Sequence, residues 1–248
     1  MSERSHRDVK ANGVRLRVAE AGDGSPVVLL HDHLVDHRTW DGVIDALSTE
    51  FRVVAPDFPG FGESEKPSAS RFAYGVPAFA EVVADLYAGL DLGRSAVVGH
   101  GLGGAVAITL AARHPELVSR LVLVDSLCFD GTMDLRRRLA LLPVVGSIVM
   151  KQLWGRATFR ALFRDTVLSA RSSLPNEKID RYYDTFNDPA ARGSAHAALR
   201  ATIIPGPWRP RRPASPPRRW SCGGAATGST RRASASAWRG RSAVQDSN

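Results

Sequence analysis

The chain has 248 residues, 44% of them hydrophobic and 23% charged, which suits one large globular domain and excludes a fibrous or wholly disordered chain. The net charge of +8 lies in the tail: from Pro205 onward nine Arg face a single acid, Asp246, while residues 1–204 balance. The body therefore lacks the basic footprint of a nucleic-acid binder, no apolar run reaches the ~18 residues of a membrane span, and Met1–Arg7 lacks the apolar core of a secretory leader.

Arg7 to Glu20 reads as a hairpin with Asn12-Gly13 as its turn. Pro26 to His31 is a short continuous apolar run of the kind found in buried parallel strands. An amphipathic helix is expected over Thr39–Leu47, a strand over Phe51–Asp57, and a helix over Pro77–Leu92, with proline at its tolerant first turn. A strand at Ser95–Val98, a helix at Gly103–Arg113 and a strand at Leu121–Ser126 follow. Strands alternating with helices imply right-handed crossovers and an α/β fold with a mostly parallel sheet. From about residue 130 to 201 only helical spacing is present, with Pro143 and Pro175 as start signals. The expected domains are a core at 1–128, an inserted helical cap or lid at 129–203, and a tail at 204–248. The tail is rich in Arg, Pro, Ser, Ala and Gly, and from Trp208 it has too few large apolar residues to build a core. Cys128 and Cys222 make no disulfide framework, so a reducing cytoplasm is the expected compartment.

Three segments carry chemical information. Leu29-Leu30-His31-Asp32-His33 ends an apolar strand in a polar turn. Asp57-Phe-Pro-Gly60-Phe-Gly62-Glu-Ser64-Glu-Lys66-Pro67 is a Gly- and Pro-rich loop. Gly99-His100-Gly101-Leu102-Gly103-Gly104 joins strand to helix with the spacing of a nucleophile elbow. Together, in this order and spacing, they resemble the α/β-hydrolase family over residues from about 10 to 203, in particular its esterase-like and C–C-bond-hydrolase-like members with a helical cap.

The resemblance implies a Ser-His-acid hydrolase of ester-like or C–C bonds in a small apolar ligand, either acyl or aryl. It needs no cofactor and no metal, and its oxyanion hole would be made by the backbone N–H groups of His33 and Leu102. This sequence departs from the pattern in two places. Position 101, the nucleophile's slot, is Gly101, and Asp32 stands where the family has glycine. The histidine base and the acid of the late strands are also missing beyond His196. In a shifted reading frame, Pro213–Arg231 permits a string that looks like the family's late strand and acid-bearing loop, so the tail is expected to be frameshifted. Without the strands that follow, Leu121–Ser126 is expected to be an exposed edge.

His100 beside the elbow and Asp125 at a strand end are the remaining candidate catalytic groups. His31 is expected to anchor its loop, while His37 and His114 are expected at the surface. His31 and His33 share a strand face but lack an evident third metal ligand. Arg156, Arg160 and Arg164 recur at helical spacing as an expected solvated face. Two function classes follow: an α/β-hydrolase relative that is inactive because its triad is absent, or a non-catalytic small-ligand-binding protein on the same fold. The sequence leaves the oligomeric state open.

Overall fold

The computed structural model describes residues 4–127, 155–166 and 174–203. The expectations for Cys128, Pro143 and the tail from 204 lie outside those residues.

The hairpin is β1 (Ser5–Ala11) and β2 (Val14–Ala21), paired antiparallel with Ala11 opposite Val14. Asn12 and Gly13 both have positive φ, 46° and 76°, the backbone that matches the twist of a two-residue hairpin. With β3 (Ser25–Leu30), β4 (Phe51–Pro56), β5 (Ser95–His100) and β6 (Val118–Val124), the described residues form a six-stranded sheet in the order β1-β2-β4-β3-β5-β6. β4, β3, β5 and β6 run parallel, while β2 joins β4 antiparallel.

The central strands are apolar at successive residues because both faces are covered. Val28, Leu30 and Val54 face one cluster with Phe79, Val83, Val106 and Leu110. Val27, Leu29, Val53 and Ala55 face the other with Trp40 and Ile44. Each fully buried Val, Leu or Phe side chain contributes about 1.5–3 kcal/mol of transfer free energy. The covering helices are α1 (Asp41–Leu47), α2 (Val76–Gly89) and α3 (Leu102–Arg113).

The helix expected from Thr39 is instead a 3-10 turn, His37–Trp40, that leads into α1. The Asp36 side chain starts it by accepting the Arg38 N–H at 3.0 Å.

After β6 the described elements are α4 (Arg156–Thr166), α5 (Asn176–Phe186) and α6 (Pro189–Ile203). Phe159, Ile179, Tyr183 and Phe186 join the first cluster. The arginine row of α4 lies on a solvated face, as expected, and its members are paired there. Arg156 pairs with Asp184 at 2.8 Å, Arg160 grips Asp180 with both its Nε and a terminal nitrogen, and Arg164 donates to Asn176. β6 pairs with β5, and Leu121, Val122 and Val124 on it are 37%, 49% and 38% exposed.

Candidate functional site

The site lies where β3 and β5 end side by side. Gly101 follows β5 with φ 53° and ψ −112°, a backbone that L side chains resist. Its N–H donates to Val124 O at 3.1 Å, which ties the turn to the end of β6. α3 then starts at once. Gly103 lets it start there, because a Cβ on that residue would lie 2.2 Å from Leu30 O and 2.7 Å from His31 O. The Gly103 N–H instead donates to His31 O at 3.0 Å.

The loop after β3 is pinned by His31. The backbone N–H of Phe58 donates to His31 Nε2 at 2.9 Å, so the ring proton sits on Nδ1 and is given to Asp32 O at 2.7 Å. Burial pushes the His31 pKa down and keeps the ring neutral. The anchoring role expected for His31 is therefore seen.

Asp32 turns its carboxylate across to the elbow. Its Oδ1 accepts the Leu102 N–H at 2.7 Å and lies 3.1 Å from His33 Nδ1. Burial works to raise the Asp32 pKa, but the His33 hydrogen bond and charge, His100, and the Leu102 N–H outweigh it, and the value falls to about 2. The Leu102 N–H, expected to point into the cleft, is thus already taken by a carboxylate.

The His33 side chain is buried, with Nε2 2.7 Å from Thr202 Oγ1 on α6. His100 is half-buried, its ring edge-on to Trp40 at 6.5 Å. Asp125 is exposed just past β6, with φ 43°. The structure brings Gly101, Leu102, Asp32 and His33 together. Both nitrogens of His31 and of His33 have partners, so this pair offers no free lone pairs for a metal.

A second polar cluster supports the loop from below. His37, expected at the surface, is 3% exposed. Its backbone N–H and its Nδ1 both meet Asp57 Oδ1 at 2.8 Å, and the Glu63 N–H donates to Asp57 Oδ2 at 2.8 Å. Burial opposes both charges, yet each partner outweighs it, so Asp57 is held below the usual carboxylate range and His37 is raised. Asp36, His37 and Asp57 bring ligand-type atoms within 4.8 Å of one another. Asp36, however, is gripped by Arg38 at 2.9 and 2.5 Å, and the Asp57 oxygens already accept three N–H groups. The cluster is an internal brace.

Beside the site a narrow cleft is lined by Leu34, Val35, Phe61, Tyr182, Phe186 and Ala195 and encloses about 10 Å³, room for a single water. Among the described residues no helix is long and apolar enough to cross a membrane.

Acid stability should report the Asp32 contact. Its folded pKa lies below the ordinary value of 3.8, so its contribution is present above about pH 4 and is lost as pH falls towards 2. The loss is about 2 kcal/mol at ~1.4 kcal/mol per pKa unit. Urea unfolding of Asp32→Asn between about pH 5 and pH 2 is expected to show a decline shallower by that amount. An unchanged slope would count against the contact.

The family model for the alpha/beta hydrolase fold matches residues 25–226. An uncharacterised protein of Mycobacterium bovis is 35% identical over 203 residues, 77% of this chain and 57% of that protein. A 2-hydroxymuconate semialdehyde hydrolase of Pseudomonas sp. is 33% identical over 123 residues, 48% of this chain and 43% of its own. An epoxide hydrolase solved without ligand superposes with a TM-score of 0.64 at 27% identity, over 80% of this chain and 74% of its own. The chain spans about half the length of the curated relatives it matches.

Proposed function

Since the chain belongs to the α/β-hydrolase fold family, we propose that it descends from a hydrolase of ester-like or C–C bonds in a small apolar substrate and no longer performs that hydrolysis. One observation carries this: the elbow presents Gly101, and the space above it holds the Asp32 carboxylate. Covalent acyl transfer needs a side chain there with a base to activate it. It also needs an N–H aimed at the developing oxyanion, and the Leu102 N–H already points at Asp32. On this reading His33 and Leu102 are the remnants of an oxyanion hole, α4–α6 form the cap, and the protein is a pseudoenzyme of the family.

The test is turnover of p-nitrophenyl acetate and butyrate by the chain and by Gly101→Ser. Both are expected to stay at the buffer rate, because serine without a base is a weak nucleophile. Saturable hydrolysis by the chain as it stands would overturn the proposal. The ligand-binding alternative on the same fold has aromatic surface in Phe61, Tyr182 and Phe186, but the cleft they line has room for a single water and would have to open to admit a ligand. Saturable binding of an acyl or aryl compound without turnover, read by calorimetry, would establish it.

A further inference from the structure

A Cβ placed on Gly101 would lie 2.0 Å from Asp32 Cγ and 2.2 and 2.3 Å from its two oxygens. The volume through which any side chain would leave the elbow is therefore filled by a carboxylate from a residue 69 positions earlier in the chain. Two groups hold this placement directly, and a third steadies it through the His33 ring. Asp32 Oδ1 takes the Leu102 N–H at 2.7 Å, His33 Nδ1 lies 3.1 Å from the same oxygen, and Thr202 fixes the far side of that ring at 2.7 Å.

The other early amides of α3 find backbone acceptors. Gly103 N–H goes to His31 O, and the N–H groups of Gly104 and Ala105 go to Gly101 O. Leu102, 0% exposed, has the Asp32 carboxylate as the acceptor for its amide. A helix start favours negative charge, and a buried amide left without an acceptor is costly.

We propose that the Asp32 carboxylate is the resident anion of the elbow, seated where the helix start offers its hydrogen bond, and that Asp32 and Gly101 are a matched pair, each accommodated because of the other. Serine at 101 would have to displace the Asp32 carboxylate from this place. With the carboxylate removed, the same place takes a small free carboxylate, formate or acetate. The low pKa of Asp32 agrees with an anion held by donors and makes it a poor base.

The experiment compares melting temperatures of the wild-type chain, Gly101→Ser, Asp32→Gly and the double variant, each with about 0.1 M sodium formate or the same concentration of chloride. Gly101→Ser is expected to lower the melting temperature by roughly 5 °C or more in the wild-type background, and by less than about half of that beside Asp32→Gly. Formate is expected to raise the melting temperature of Asp32→Gly and to leave the wild type unchanged. Asp32→Ala carries the formate comparison should Asp32→Gly not fold. An equal cost of Gly101→Ser in both backgrounds overturns the pairing. A formate response as large in the wild type as in the Asp32 variants overturns the anion site. Neither readout involves turnover, so failure here is distinguishable from failure of the proposed loss of hydrolysis.

Discussion

Asp57→Ala is expected to cost about 3–5 kcal/mol, the range for breaking a buried charged pair from one side. Removing the carboxylate strands three N–H groups at once: the His37 backbone amide, the His37 ring and the Glu63 amide. It also leaves a buried His37 whose pKa is raised chiefly because Asp57, with help from Asp36, offsets its burial. A domain of this kind has about 5–15 kcal/mol of total stability, so the variant should unfold at a markedly lower urea concentration and be partly unfolded on mild warming. Asp57→Asn keeps an acceptor in place and should lose less. A midpoint within error of wild type for Asp57→Ala would show that the brace carries no weight. The pair also sets a pH window. The His37 contribution is complete below its ordinary pKa near 6.5 and is lost as pH rises through its raised folded value. The Asp57 contribution is complete above about pH 4 and is lost as pH falls further.

The second large effect belongs to Gly103→Ala. The added Cβ would meet Leu30 O at 2.2 Å, Leu30 C at 2.5 Å and His31 O at 2.7 Å. All three are backbone atoms, so no rotamer change relieves the contact. β3 and α3 must move apart, and the Gly103 N–H to His31 O bond stretches with them. A loss of about 3 kcal/mol is expected in urea unfolding. Gly193→Ala in α6 is the control, since its Cβ would meet nothing within 4 Å and alanine favours the helix by about 1 kcal/mol. Similar losses at both positions would mean that the close approach is unimportant.

Much of the frame was legible in the sequence because its signals are local. Asn12-Gly13 forces its turn, the apolar runs of β3, β4 and β5 require cover on both faces, and Gly99–Gly104 marks the strand-to-helix turn. Groups that pair across the chain were harder to see. His37 reads as a surface residue until Asp57, 20 positions away, folds over it. Arg156 and Arg160 read as a solvated row and do lie at the surface, but their pairing with Asp180 and Asp184, four apart on the next helix, was not read from the sequence. Asp32 and Gly101 each depart from the family pattern in a visible way. Their collision is visible only once β3 and β5 lie side by side, with Leu30 opposite Gly99.

The bond between His33 and Thr202 spans 169 positions and sets an order of events during synthesis. All six strands among the described residues are encoded by residue 124, so this part of the sheet can assemble while the later helices are still within or upstream of the ribosomal exit. At about 5–20 residues per second, some seconds pass before Thr202 emerges. During that interval the Asp32–His33 turn lacks its outer clasp. The nascent sheet thus precedes its own site, and the last described helix is the part that locks the loop after β3 in place.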